Sequence, residues 1–104
     1  MSNFFPGLNH TVRVTFKDVS FVMQFQTLDH MRMGLVTAQS AKPTEDLSIT
    51  LTPVGHNIFI VAWQRENGTK VVHIHDYDQQ TVHSYVTTPE QQFLQLHGSL
   101  LITD

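Results

Sequence analysis

Apolar and polar residues alternate with a period of two along most of the chain, and no long stretch shows the period of an amphipathic helix. The alternating runs are rich in Val, Ile, Thr, Phe and Tyr, which favour β-strands. A longer break at Ala38–Asp46 is typical of a loop. The predicted strands are Thr11–Lys17, Ser20–Thr27, His30–Val36, Leu47–Val54, Ile58–Gln64, Thr69–Tyr77, Thr81–Thr88 and Gln92–Ile102.

Short turn signals separate most of these runs, among them Asn67-Gly68 and Pro89-Glu90. Successive strands joined by short turns favour an antiparallel meander, and closing such a sheet into a barrel hides its edge strands. We therefore predict an all-β fold, a small antiparallel up-and-down β-barrel of about eight strands that forms a single domain over residues 1–104. A barrel of this size has room inside for side chains or for one small ligand.

Composition and charge exclude several classes of protein. The 104 residues include six Lys and Arg against nine Asp and Glu, a balance that argues against a nucleic-acid partner. The absence of cysteine excludes disulfides and zinc–thiolate sites and, with no signal-peptide pattern at the start, favours a cytoplasmic protein. No apolar run is long enough to span a membrane, so we expect no membrane partner.

Turn lengths determine which side chains face the barrel interior. We predict two-residue turns at Asn67-Gly68, Asp78-Gln79 and Pro89-Glu90. One extra residue in the Asp78 turn would turn the last two strands over relative to the rest. With these turns, the inner face carries Phe59, Val61, Trp63, Val72, Ile74, Asp76, His83, Tyr85, Leu94 and Leu96.

The segment from Asn57 to Leu101 contains an ordered set of residues that runs from an aromatic residue and a Trp, through a glycine turn and Thr-x-Val-x-His-x-x-Asp, to Phe-Leu-x-Leu-x-Gly. These positions are Phe59, Trp63, Gly68, Thr69, Val71, His73, Asp76, Val82, Phe93, Leu94, Leu96 and Gly98. The order resembles the C-terminal pattern of the MoaF family, named for molybdenum cofactor biosynthesis protein F. The resemblance implies a lipocalin-like (calycin) barrel and no defined reaction. Full-length members carry two such units, whereas this chain has room for one, and a homodimer could restore the pair.

Five residues are the predicted ligand-binding residues: Trp63, His73, Asp76, His83 and Tyr85. Trp63 and Tyr85 would supply aromatic walls, and Asp76 and His83 a few convergent polar groups, as in a small-molecule site. His73 is included because the family pattern contains it, although the predicted turns place it on the outer face. We predict that the barrel binds a small apolar or aromatic molecule and needs no cofactor.

Two alternative functions stay open. Asp76 could orient the ring of His83 in a cofactor-free acid–base enzyme, or it could simply cap its own turn. His73 and His75 are two residues apart on one strand, so their side chains share a face. Such a pair could bind a metal ion if a third ligand lay nearby, or it could consist of packed or solvated histidines.

Overall fold

The structure, a computed structural model, describes residues 4–104 and contains one antiparallel sheet and no helix over that range. The prediction of an all-β antiparallel barrel is confirmed, with nine strands in place of about eight, because the predicted strand Leu47–Val54 is divided at Ile49. The strands are β1 (Thr11–Phe16), β2 (Val19–Thr27), β3 (His30–Leu35), β4 (Glu45–Ser48), β5 (Thr50–Gly55), β6 (Ile58–Gln64), β7 (Lys70–Asp76), β8 (Thr81–Thr87) and β9 (Phe93–Ile102). No helix in the described part of the chain is long and apolar enough to cross a membrane.

The sheet curls into a nearly closed barrel. Its strand order is β4-β3-β2-β1-β9-β8-β7-β6-β5, so the first and last strands of the chain are hydrogen-bonded neighbours. The two edge strands, β4 and β5, are separated only by the buried residue Ile49. The chain therefore passes directly from one edge of the sheet to the other, which leaves little free edge for pairing with another chain.

Aromatic side chains close one end of the barrel. Phe5 precedes β1 and is 1% exposed. Its ring meets those of Phe25, Phe59 and Tyr77 edge-on, with centroid distances of 4.8, 5.0 and 5.6 Å. Such edge-to-face contacts are the preferred geometry for packed aromatic rings. The N-terminal turn therefore acts as a plug at the end of the barrel where β2 and β7 finish and β6 begins.

The turn between β6 and β7 has three residues, not the predicted two. The amide of Arg65 donates to the carbonyl of Thr69, and the amide of Gly68 donates back to the carbonyl of Arg65. Gly68 has a φ of 93°, as the last residue of a three-residue hairpin loop requires. Trp63 consequently pairs with Val71, one residue earlier than predicted, and the predicted register of this hairpin is wrong.

The turn between β8 and β9 is also one residue longer than predicted. The amide of Thr88 donates to the carbonyl of Gln92, and Gln91 has a φ of 70° at the same position as the glycine of the earlier loop. The register between β7 and β8 is as predicted, with Ile74 opposite His83. Because the β6–β7 and β8–β9 turns are each one residue longer than predicted, the two register errors cancel at β9, which presents the predicted face. Only β7 and β8 therefore present the opposite face from the predicted one.

Gly98 lies where β9 passes against the end of β1. A Cβ atom at this position would overlap the backbone carbonyl oxygen of Thr15 and crowd the ring of Phe16. We expect Gly98→Ala to lower the free energy of unfolding by about 3 kcal/mol, because a backbone atom cannot move aside as a side chain can. Gly55→Ala is the matched control, since its nearest neighbour is the Ile58 side chain at 3.3 Å. Equal stability of the two variants in urea denaturation would contradict this account of the β1–β9 contact.

Candidate functional site

A cavity of about 160 Å³ occupies the end of the barrel opposite Phe5 and is partly open to solvent. Its apolar walls are formed by Phe16, Phe21, Met33, Val71, Val86 and Leu96. Three buried polar side chains also line it: Trp63, His73 and Ser84. An apolar hollow with a few polar groups is the usual form of a small-molecule site.

At the mouth of the cavity, Arg65 contacts Glu45 through two pairs of atoms. Its Nε lies 3.2 Å from Oε2 of Glu45, and its terminal nitrogen lies 3.2 Å from Oε1. Both side chains are partly exposed, so the pair contributes little to stability. It does, however, neutralise a cationic side chain that lines the cavity, and it joins β4 to the β6–β7 loop across the gap in the sheet.

A row of three hydrogen-bonded polar side chains runs along the inside of the barrel from the cavity towards the plug. His73, His75 and Tyr77 alternate along the chain and therefore point the same way. Nδ1 of His73 lies 3.2 Å from Nε2 of His75, and Nδ1 of His75 lies 3.3 Å from the hydroxyl of Tyr77. The two histidines are buried, with exposures of 3% and 0%.

Burial keeps the side chains of His73, His75 and Tyr77 uncharged. It lowers the pKa of His73 from 6.5 to about 3. Burial, together with the proximity of His73, also holds the pKa of His75 well below 6.5. The same loss of solvent raises the pKa of Tyr77 above its ordinary value. At neutral pH the interior therefore contains hydrogen-bonding groups but no charge from these residues.

Trp63 faces His73 at the inner end of the cavity. The two ring centroids are 4.8 Å apart, with the planes at 73°. The side chain is 6% exposed, and within residues 4–104 its indole Nε1–H has no hydrogen-bond partner. A buried donor without an acceptor is unfavourable. The cavity therefore contains a donor that a bound molecule or a water could satisfy.

Of the five predicted ligand-binding residues, the structure brings Trp63 and His73 together at the cavity. Asp76 is not part of this group. Its Oδ1 accepts hydrogen bonds from the backbone amides of Asp78 and Gln79, at 3.1 and 2.9 Å. This is the turn-capping role that was the alternative interpretation of this aspartate.

His83 and Tyr85 lie on the outer surface of β8, because the shifted β6–β7 register turns this strand over. The ring of His83 lies against that of His97 on β9, with centroids 4.6 Å apart. The ring of Tyr85 stacks on Phe93, with centroids 6.0 Å apart and planes at 14°. The predicted placement of these two residues in an interior pocket with Asp76 is therefore wrong, and their part in binding stays a prediction.

Tyr77 and Ser84 are interior groups that were not predicted from the sequence, and His75 was predicted only as a candidate metal ligand. The available signal was the spacing His-x-His-x-Tyr, which puts three polar side chains on one face of a strand. His73 and His75 do share a face and are adjacent. Over the described residues, no third His, Cys, Asp or Glu joins them in a group suited to a metal ion.

Comparison with known proteins places this barrel in a family. The family model for MoaF-like proteins matches residues 8–101, and the chain belongs to the MoaF-like family. This confirms the resemblance found in residues 57–101 and extends it through the first half of the chain. No curated protein matches the chain.

A solved structure has the same fold. The crystal structure of a candidate beta-lactamase from Burkholderia vietnamiensis superposes on this chain with a TM-score of 0.84 at 25% sequence identity. The match covers 98% of this chain and 100% of that one. The two proteins therefore share the whole barrel, including the strands that surround the cavity.

Proposed function

We propose that this protein binds one small, uncharged, largely apolar or aromatic molecule inside the barrel. The observation that carries the proposal is the cavity itself, whose walls are apolar and whose inner end holds the Trp63 indole N–H, which has no partner within residues 4–104. A closed apolar cavity of about 150 Å³ binds benzene, so a cavity of about 160 Å³ suits a single-ring molecule.

The electrostatics of the site support an uncharged ligand. His73 is neutral at pH 7, because burial lowers its pKa to about 3. Arg65, the cation at the mouth, is already paired with Glu45. A charged ligand would lose its hydration and find no free opposite charge in the cavity, which is costly. The MoaF-like family and the barrel fold are compatible with binding of this kind. The lipocalin-like (calycin) grouping, the cytoplasmic location and the homodimer stay predictions.

A pair of matched substitutions tests the site. Val86 lines the cavity on β8, whereas Val72 lies on the outer surface of β7. We expect acetophenone and its hydrocarbon isostere α-methylstyrene each to raise the melting temperature of the wild type, because ligands that bind the native state stabilise it. Val86→Phe should fill the cavity and weaken binding about tenfold or more, equivalent to roughly 1.4 kcal/mol.

The control is Val72→Phe, which adds the same ring outside the barrel and should bind both probes within about twofold of the wild type. Calorimetric titration of the three proteins makes the comparison. The proposal fails if neither probe binds the wild type, or if Val86→Phe binds as well as Val72→Phe does.

A further inference from the structure

The structure assigns a chemical class to the ligand. We infer that it presents a neutral carbonyl oxygen, which accepts hydrogen bonds from two N–H donors at the inner end of the cavity, Nε1 of Trp63 and Nε2 of His73. This inference rests on the proposed binding function and adds the group that the cavity recognises.

The first donor is the indole of Trp63. An indole nitrogen can donate a hydrogen bond but cannot accept one. The nitrogen is buried and has no acceptor in the described part of the chain. Within residues 4–104 nothing satisfies it, so its acceptor must be a water or a bound molecule that enters the cavity. An oxygen atom of the ligand meets this requirement, whereas an apolar ligand would bury the N–H without a partner, at a cost in affinity.

The second donor is His73, because its other ring nitrogen is already used. Nδ1 of His73 is hydrogen-bonded to Nε2 of His75, a residue that lies deeper in the barrel and does not line the cavity. The two nitrogens of an imidazole lie on opposite edges of the ring, so Nε2 points away from His75. The ring of Trp63 is 4.8 Å away, centroid to centroid. Because both side chains line the cavity, we infer that one oxygen atom of the ligand contacts both nitrogens.

The direction of the hydrogen bonds determines which nitrogen of His73 carries the proton. The Tyr77 hydroxyl has one hydrogen to donate, and among residues 4–104 its side-chain partner is Nδ1 of His75. If Tyr77 donates, His75 is protonated at Nε2 and donates to Nδ1 of His73. His73 then carries its own proton on Nε2, facing the cavity. The reverse arrangement would leave the hydroxyl hydrogen of the partly buried Tyr77 without an acceptor among residues 4–104, which is unfavourable.

His75 and Tyr77 are thus positioning residues. Because the side chains of His73, His75 and Tyr77 are all neutral, the cavity favours a carbonyl group over a carboxylate. Two neutral N–H groups can satisfy the two lone pairs of a carbonyl oxygen. They supply no positive charge to balance a carboxylate in an apolar cavity. The pKa of His73, lowered by burial to about 3, is consistent with its acting as an uncharged donor.

A comparison of two isosteric probes tests the assignment. Acetophenone has a carbonyl oxygen where α-methylstyrene has a CH₂ group, so the two differ in the acceptor alone. Trp63→Phe removes one donor and leaves no other protein group unpaired. We expect this variant to weaken acetophenone about tenfold and α-methylstyrene less than twofold, relative to the wild type. Comparing each probe with itself across the two proteins cancels the difference in its hydration.

His73 has its own pair of variants. His73→Leu should show the same selective loss of acetophenone, while His73→Gln, whose amide can accept from His75 and donate to the ligand, should restore much of it. Equal weakening of both probes in Trp63→Phe and His73→Leu, or no weakening, would overturn the donor pair while leaving the cavity as a binding site. Failure of both probes to bind the wild type would overturn the binding function itself.

The protonation pattern is tested without any ligand. Long-range ¹H–¹⁵N spectra distinguish the protonated from the unprotonated nitrogen of a neutral imidazole. We expect both His73 and His75 to carry the proton on Nε2 at pH 7. Protons on Nδ1 of both rings would mean that Nε2 of His73 is an acceptor, and would overturn the assignment of a carbonyl ligand.

Discussion

Lowering the pH from 7 to 5 is expected to reduce the free energy of unfolding by about 4 kcal/mol. His73 and His75 are neutral in the folded protein, because burial lowers the pKa of His73 to about 3 and holds that of His75 well below 6.5. In the unfolded chain both groups return to a pKa near 6.5. Each then binds a proton that the folded state does not bind, which costs about 1.4 kcal/mol per pH unit below that value.

The direction of the effect follows from proton uptake. Stability rises with pH wherever the unfolded state binds more protons. The contribution of His73 is therefore fully present above about pH 6.5 and is lost as the pH falls towards its folded pKa of about 3. Because small domains have only about 5–15 kcal/mol of stability, the loss should be large on this scale.

Urea denaturation at pH 7, 6 and 5 measures this dependence. His73→Gln removes one of the two buried groups and should reduce the slope by about half. Val72→Phe, on the outer surface of β7, removes no titratable group and should leave the slope unchanged. A wild-type stability that stays flat between pH 7 and 5 would show that these histidines are not buried and neutral.

Phe5→Ala is expected to lower the free energy of unfolding by about 4 kcal/mol, the usual cost of truncating a buried phenylalanine. Phe5 is 1% exposed and contacts the rings of Phe25, Phe59 and Tyr77. Its removal would leave a void at the plugged end of the barrel and would deprive three rings of an edge-to-face partner.

The neighbouring Phe4 provides a matched control, since it is the same residue type and is 63% exposed. Phe4→Ala should change the stability by no more than about 0.5 kcal/mol. Similar midpoints for the two variants in thermal or urea denaturation would show that the N-terminal turn does not plug the barrel.

The barrel could be predicted from the sequence because its signals are local. Period-two patterning and frequent turn residues mark the strands, and the need to hide sheet edges favours closure. The division of Leu47–Val54 at Ile49 was not predictable in this way. The alternation of apolar and polar residues continues unbroken across the division, and the change of partner from β3 to β6 depends on distant strands.

The faces of β7 and β8 could not be predicted because the turn lengths are ambiguous. Gly68 suits both a two-residue turn and the last position of a three-residue loop, since both need a positive φ. In the β8–β9 loop that position is occupied by Gln91, a residue type that gives no signal for a left-handed conformation. For His73 the family pattern and the predicted register disagreed, because the pattern included it among the ligand-binding residues and the register placed it outside the barrel. In the structure His73 is inside the barrel and lines the cavity.

The cavity could not be predicted from the sequence for a related reason. The volume of the cavity depends on which small residues, such as Ser84 and Val86, face the interior at the open end of the barrel. The register of β7 and β8 determines which residues these are. The predicted register placed both of them outside. Trp63 was correctly placed inside because it lies on β6, before the first of the misjudged turns.

The indole N–H of Trp63 offers the most direct test that a small molecule binds in the cavity. The chain contains one tryptophan, so its ¹H–¹⁵N spectrum has one indole cross-peak. Titration with acetophenone should shift this peak downfield and to saturation in the wild type and in Val72→Phe, whereas in Val86→Phe the same shift should need about tenfold more acetophenone or more. An indole peak that does not move in the wild type, while surface amides do, would contradict binding inside the barrel.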